Sequence, residues 1–471
     1  MSETLALGRD VQGDAVEISV EIAAIVPSGC ISVGSRHINP KSNLFAFALQ
    51  DRHGMAWADY DDSGHPDVYI TRGGLRGRIG FLEGEYSDEL MLHSNEAYDN
   101  VWDSAVNDKN DCRGTQAAWV DFDGDGLLDI YVGCNDSGNQ LYRQSPIGVF
   151  TNVAQQTGLD ITDSGRFRWF DVDGDGDMDM IYATSEHVLL YIQDADGFAM
   201  RPVFEGIDFR ARSISVADYD NNGDQDIFIA SKFNLLLANE GGTFVPHEPE
   251  TIGLPRSSRA VAWVDYDNDG LTDLHSIPGG LYLQQPDHRF AAAGTLDDVI
   301  IDSPVDARVM WFDADNDGFR DLLAAVKIRE DGPDPEVDID LLDIDDDHAE
   351  LDEDVDATEI ETGNHSYWQF EFVENPGNVN NWLEIELKGP PGNSPAIGAS
   401  VRVQTGSLLQ TQLIGASESS HYSQGHYRLY FGLGAALIVE RITITWPSGE
   451  TQTLTNIAPN QVLAIAQTTN P

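Results

Sequence analysis

The sequence predicts an all-β protein, a β-propeller followed by a small β-sandwich, and three observations carry that prediction. A nine-residue acidic loop recurs six times, beginning at residues 59, 121, 171, 218, 265 and 313, so four of the five intervals fall between 47 and 50 residues. A short apolar run of strand length precedes each copy, and another follows five of them. From Asn380 onward the loops stop and alternating apolar and polar segments separated by turn residues take over. A period of about 40 to 50 residues suits four-stranded propeller blades, whereas helical repeats of that length would lack the Gly and Asp punctuation.

The loop is clearest at Asp121, Asp123, Asp125, Gly126 and Asp129, with carboxylates at positions 1, 3, 5 and 9 and Gly at position 6. This is the pattern of a cage for a hard cation. Ca²⁺ takes six to eight oxygens, and Asp-rich loops supply them from alternate positions around a sharp Gly turn. The loop closes at position 9 and so lacks the distant Glu of an EF-hand. The other copies are Asp59, Asp61, Ser63, Asp67; Asp171, Asp173, Asp175, Asp179; and Asp218, Asp220, Asn222, Asp226. Asp265, Asp267, Asp269, Asp273 and Asp313, Asp315, Asp317, Asp321 complete the set. Solvated turns also favour Asp and Gly, but six copies in register argue for Ca²⁺. The copies with Ser63 and Asn222 carry one charge fewer and are expected to bind more weakly.

Residues 1 to about 45 alternate like strands, as at Val16 to Ile25, but hold no loop. Each loop is then preceded by an apolar run with Trp57, Trp119, Trp169, Trp263 or Trp311 two residues ahead of the first Asp, and Val216 in the fourth copy. Such Trp side chains at fixed phase are expected as core between blades. After the closing Asp come further strands, Val68 to Ile70, Ile130 to Val132, Met180 to Tyr182, Ile227 to Ile229 and Leu322 to Ala325. The first interval is 62 residues, which places an insertion within Thr71 to Ser87, including Arg72, Arg76 and Arg78. The run Glu330 to Glu361 holds 17 acidic residues and no Lys or Arg, so self-repulsion is expected to keep it extended. Its Asp343, Asp345 and Asp347 imitate half a loop without the Gly. In the tail, strands are expected at Leu383–Leu387, Ala399–Gln404, Leu409–Ile414, Arg428–Phe431, Ile438–Trp446 and Val462–Ile465, a β-sandwich. The expected division is 1–375 and 376–471.

The balance of 80 acidic against 27 basic residues, a formal charge of −53, argues against nucleic acid and anionic membrane as partners. Three cysteines, Cys30, Cys112 and Cys134, allow one bridge at most, and buried thiols are the expectation. Neither a signal peptide nor a membrane span is visible.

The six loops and their flanking strands resemble FG-GAP, or VCBS, repeats of the integrin α-type propeller. The tail, with Asn381-Trp382-Leu383, Ala396-Ile397-Gly398-Ala399, Tyr422-Ser423-Gln424, Tyr430-Phe431-Gly432-Leu433-Gly434 and Trp446-Pro447-Ser448-Gly449, resembles the ASPIC/UnbV domain. Together they resemble the cartilage acidic protein family from about residue 45. The resemblance implies a seven-bladed β-propeller with Ca²⁺ in the loop joining the first two strands of each blade, on one face. It also implies an adhesion-type interaction module, extracellular or periplasmic, with no common catalytic set. A cytoplasmic location is the alternative, because no signal peptide is visible. A protein, a glycan or a small anion is the expected partner, bound by a monomer.

If the strand before each loop is innermost, as the resemblance implies, its start faces the opposite mouth. Arg52, Arg113, Arg166, Arg212, Arg259 and Arg308 fall five to eight residues before the first Asp of each copy. They form either a guanidinium ring for an anion or ties between blades. His53 beside Arg52 is the best general-base candidate. No GxSxG, HExxH, Walker or CxxC motif is present, and His93, His275, His421 and His426 share no spacing. A Ca²⁺-dependent enzyme acting on an anionic or aromatic small molecule is therefore the second reading. Tyr422, Tyr427, Tyr430, Trp382 and Trp446 are expected mostly as core, with stacking on sugar rings the alternative.

Overall fold

A computed structural model describes residues 6–9, 15–17, 54–71, 88–101, 106, 112–293, 306–329, 366–416 and 423–468, apart from short gaps at 95–96, 102–105, 136, 196 and 207–208. Almost every described element is a strand, and the one α-helix is the single turn Ala154–Thr157. No helix among the described residues is long and apolar enough to cross a membrane.

Six antiparallel sheets follow one another along the chain, each containing one acidic loop. In the third, Arg166–Phe170, Asp179–Ala183, His187–Asp194 and Gly197–Glu205 pair in sequence order, and the loop joins the first two strands. Sheets 1 to 5 have four strands. The sixth has three, Asp306–Phe312, Asp321–Arg329 and Ser366–Val373. The acidic run Glu330 to Glu361 therefore separates the second and third strands of that sheet. The run itself and Arg72, Arg76 and Arg78 lie outside the described residues, and of the seven blades expected the described residues form six loop-bearing sheets. Near the N-terminus only the antiparallel pair Ala6–Arg9 and Ala15–Glu17 is described.

The core lies in slabs between neighbouring sheets. Trp57, Trp119, Trp169, Trp263 and Trp311 are all buried, as is Val216. Each Trp after the first packs against the preceding sheet, and the residue at position 2 of the preceding loop meets it there. Tyr60 stacks on Trp119 at 5.3 Å, Tyr219 stacks on Trp263 at 5.9 Å, and Tyr266 meets Trp311 edge-on at 5.9 Å. Removing such an indole costs about 3–5 kcal/mol. First strands lie side by side between sheets 1 and 2, 3 and 4, 4 and 5, and 5 and 6. Side chains extend the tie, with Gln116 Nε2 donating to the Phe167 carbonyl at 2.8 Å and its Oε1 accepting from the Phe167 N–H at 3.3 Å.

Two readings change. Cys112 and Cys134 form a disulfide with Cα atoms 5.1 Å apart, where buried thiols were expected. The ladder explains it: Gly114 pairs with Cys134 across the first two strands of sheet 2, which brings Cys112 alongside. Cys30 lies outside the described residues. Asp273–Ile277 is also a strand, although polar His275 and Ser276 hide it in the sequence.

The tail strands form two sheets, three strands ordered 429–434, 381–388, 462–466 and four ordered 408–413, 400–405, 439–445, 451–457. All six expected strands are present. The seventh, Thr451–Ile457, exposes much of its length, so its polar sequence carries no apolar alternation.

Candidate metal centres

Each loop is shaped by its own carboxylates. The position-1 Asp accepts from the N–H of the position-6 Gly in every copy, at 3.0 Å for Asp59 and Gly64 and at 2.7 Å for Asp313 and Gly318. Position 6 has positive φ throughout, from 83° at Gly64 to 101° at Gly223. Position 4 is also left-handed in every copy, at Asp62, Gly124, Gly174, Asn221, Asn268 and Asn316. Only Gly, Asn and Asp visit that region readily. This second constraint was legible in the residue types.

The closing Asp does more than end the loop. Asp226 Oδ2 accepts from the N–H of Tyr219 at 3.0 Å, and its Oδ1 accepts from Asn239, which ends the third strand, at 2.7 Å. The second contact recurs from His93 to Asp67, Gln144 to Asp129, Gln193 to Asp179, Gln284 to Asp273 and Asn375 to Asp321. Amide side chains at these third-strand positions then reach the previous loop, with Asn239 Nδ2 donating to the Val172 carbonyl at 3.2 Å and Gln284 Nε2 to the Tyr219 carbonyl at 2.8 Å. The Asn268 side chain donates to the Gly318 carbonyl of the next loop at 2.8 Å. The loops are therefore coupled around the ring.

The donor set fits a hard divalent cation. Carboxylate oxygens of positions 1, 3 and 9 lie within 4.8 Å of one another in the first four loops, and those of positions 1, 3 and 5 do so in the fifth. In the second loop the buried Asp121 Oδ1 and Asp123 Oδ1 have no hydrogen-bond partner among the described residues. Arg143 reaches the other side of that loop, with Nε 2.5 Å from Asp123 Oδ2 and Nη2 3.3 Å from Asp125 Oδ2. Burial pushes the closing carboxylates up, to about 9 at Asp129, about 8 at Asp226 and about 7 at Asp179. Backbone N–H donors oppose the push and neighbouring carboxylates add to it. A bound dication would favour the ionised forms instead.

The C-terminal sheets sit directly on this loop face. The Gln424 backbone extends the first strand of sheet 1, accepting from Trp57 N–H and donating to the Met55 carbonyl, both at 2.9 Å. The Ser394 hydroxyl lies 3.4 Å from Asp59 Oδ2, and Leu128 N–H donates to the Gly392 carbonyl at 3.1 Å. Gln225 Nε2 donates to the Thr411 carbonyl at 3.2 Å, and Gly434 N–H donates to the Asn268 carbonyl at 2.8 Å. Arg428 Nη1 reaches Asn316 Oδ1 at 2.9 Å. A cleft of about 200 Å³ remains between the second to fourth loops and the tail, bordered by Asp121, Asp171, Arg402 and Trp446. The tail aromatics are used in docking or core: Tyr430 and Trp446 are buried, Tyr427 donates to the Trp57 carbonyl, and Trp382 lies against Gly318. Tyr422 lies outside the described residues.

At the other end of the inner strands, Arg113 and Arg166 are buried, and Arg212, Arg259 and Arg308 are partly exposed. Four of the five lie within one residue of the start of their strand. Arg212 Nη1 donates to the Ser258 carbonyl of the next sheet at 3.1 Å, a tie between blades. Arg52, His53 and His421 lie outside the described residues. His93 stacks on Tyr98 at 4.4 Å, and His426 shares a 2.6 Å hydrogen bond with Tyr430. His275 is buried against Trp311. These three histidines are not brought together.

An FG-GAP-like repeat model matches residues 121–182 and 171–229, and an ASPIC and UnbV model matches residues 389–471. No curated protein matches the chain. Among solved structures it is similar to the V. cholerae biofilm matrix protein Bap1, with 10% identity over 75% of this chain and a TM-score of 0.33. It spans 61% of that protein's chain. The BP39L lectin from Burkholderia pseudomallei is 11% identical over 87% of this chain and 99% of its own, with a TM-score of 0.38. A structure of BBS1N in complex with ARL6DN is 9% identical over 59% of this chain and 76% of the other, at a TM-score of 0.34. The matched models and the succession of loop-bearing sheets support an architecture of FG-GAP-like repeats in a β-propeller followed by a C-terminal ASPIC/UnbV domain.

Proposed function

We propose that the protein is a Ca²⁺-stabilised binding module of the adhesion type, divided near residue 375, whose ligand enters at the mouth opposite the acidic loops. The observation that carries the metal reading is the second loop, where the buried Asp121 Oδ1 and Asp123 Oδ1 have no donor among the described residues and carboxylate oxygens of Asp121, Asp123 and Asp129 lie within 4.8 Å of one another. Asp59, Asp61, Ser63 and Asp67, with the equivalent residues of the other five loops, would hold the ions. Ca²⁺ supplies charge neutralisation there, and the closing carboxylates keep the third strand in register whether or not it is bound. The opposite mouth is favoured for the ligand because the C-terminal domain covers the loop face. Arg113, Arg166, Arg212, Arg259 and Arg308 suit a carboxylate, sulfate or phosphate group on a protein, glycan or small molecule.

Thermal unfolding in millimolar Ca²⁺ and in chelator tests the metal. Each site at 100-fold over its Kd adds about 2.7 kcal/mol, so a large downward shift of Tm in chelator is expected, and coincident curves would sink the reading. Titration with inorganic sulfate tests the mouth: Arg259→Ala should abolish any sulfate-induced rise in Tm, and a rise that survives places the anion elsewhere.

A further inference from the structure

We propose that Glu384, on the first strand of the C-terminal domain, is a ligand of the cation held by the sixth loop, so that one ion joins the domain to the propeller. The inference rests on the metal reading of that loop and adds a residue far outside the repeat. Strand Asn381–Lys388 crosses directly over the loop's turn, close enough that a Cβ on Gly318 would stand 1.9 Å from Trp382 Cε2. Two residues along, Glu384 is 1% exposed and comes within hydrogen-bonding reach of the carboxylate of Asp313, the position-1 residue. Asp313 is equally within reach of Asp315 at position 3. Asp313 thus has one carboxylate neighbour from its own loop and another from the C-terminal domain.

Nearby cations do not satisfy the group. Arg428 Nη1 holds Glu384 Oε2 at 2.9 Å, but Oε1 is buried with no hydrogen-bond partner among the described residues. Arg428 is itself shared with Glu386 Oε1 at 2.6 Å and with Asn316. Glu384 therefore keeps one unanswered buried oxygen while its side chain lies within reach of Asp313, where a cation or a shared proton must separate like charges. A cation is favoured because Asp313 and Asp315 hold positions 1 and 3 of the loop, and Asp313 accepts from Gly318 N–H as the position-1 Asp does in every other copy. At the first loop, by contrast, the domain offers the Ser394 hydroxyl to Asp59.

The component of terbium luminescence that is lost in Trp382→Phe reports on the sixth site, because Trp382 lies against the turn of that loop. Glu384→Gln is expected to raise the Tb³⁺ concentration for half-saturation of this component by about tenfold or more. Glu386→Gln, which breaks only the outer contact to Arg428, should change it by less than about twofold. Hydrogen exchange of the Asn381–Lys388 amides should quicken in chelator for the natural protein and be fast in Glu384→Gln with or without metal. Glu384→Asp, which keeps the charge on a shorter arm, should fall between the two and guards against a folding defect. Natural protein that binds Tb³⁺ at this loop while Glu384→Gln binds it equally well overturns the Glu384 assignment alone, and points to a shared proton. An equal loss in Glu386→Gln overturns it in favour of Arg428 anchoring. No Trp382-dependent signal in the natural protein overturns it together with the metal reading of the sixth loop.

Discussion

Gln424 is the most informative single residue to perturb, because it joins the first strands of two sheets to the domain above them. Its Oε1 accepts from Trp119 N–H at 2.7 Å, and its Nε2 donates to the carbonyls of Trp119 and Gly415, both at 3.2 Å. Gln424 is 6% exposed and Trp119 fully buried, so each lost partner leaves a desolvated backbone group. Gln424→Leu fills most of the space and leaves Trp119 N–H unanswered. One net hydrogen bond is worth about 1 kcal/mol and an orphaned buried group about 1–3 kcal/mol, so a loss of about 2–4 kcal/mol is expected. Gln424→Ala removes more packing but opens onto an existing cavity of about 20 Å³, and one water needs roughly 10–15 Å³. That water has the Trp119 N–H and two carbonyls to bond, so Ala should cost only about 1–2 kcal/mol. The expected order reverses the usual packing rule, in which the larger truncation costs more. Urea unfolding in saturating Ca²⁺, followed by Trp fluorescence, gives the midpoints at a common slope. If Ala costs as much as Leu, or both cost less than about 0.5 kcal/mol, the bridging role assigned to this amide is wrong.

Gly432→Ala should loosen the domain at the fifth loop, because its Cβ would stand 1.9 Å from Asp265 Oδ2 and 2.5 Å from Asn268 Cα; faster proteolysis of the tail checks it. Asp226→Asn replaces an acceptor that serves two backbone N–H groups, so about 1–2 kcal/mol should be lost even in chelator; loss confined to Ca²⁺ buffer would leave the residue only a metal role. Burial lowers the His275 pKa from 6.5 to about 3, so the folded state holds it neutral while the unfolded state protonates below 6.5. Stability is then full above pH 6.5 and falls as the pH drops toward 3, by about 2 kcal/mol at pH 5. His275→Leu should flatten that part of the pH profile relative to the natural protein, and parallel profiles would refute it.

The repeat, the loops and the strands beside them were legible because each is a local pattern. A carboxylate at every second position, a Gly at the turn and a Trp two residues ahead are set by chain geometry within about ten residues, so they survive in the sequence as spacing. The six tail strands were legible for the same reason, through period-two alternation. Thr451–Ile457 was not, because a strand exposed along much of its length has no apolar face to write. The position-2 aromatics Tyr60, Tyr219 and Tyr266 were in view but had no meaning until the next blade's Trp stood against them.

Sequence alone determined that this chain is a repeat of strand, acidic loop and strand with a β-sandwich after it, because those features are fixed by neighbours along the backbone. Tertiary structure decided where the sandwich goes. Gln424 meets Trp119 across 305 residues, Gln225 meets Thr411 across 186, and Arg428 meets Asn316 across 112. Contacts of that span leave no period and no spacing in a single sequence. They arise because polar backbone groups and side chains of the acidic loops on one face of the propeller need partners, and the following domain supplies them.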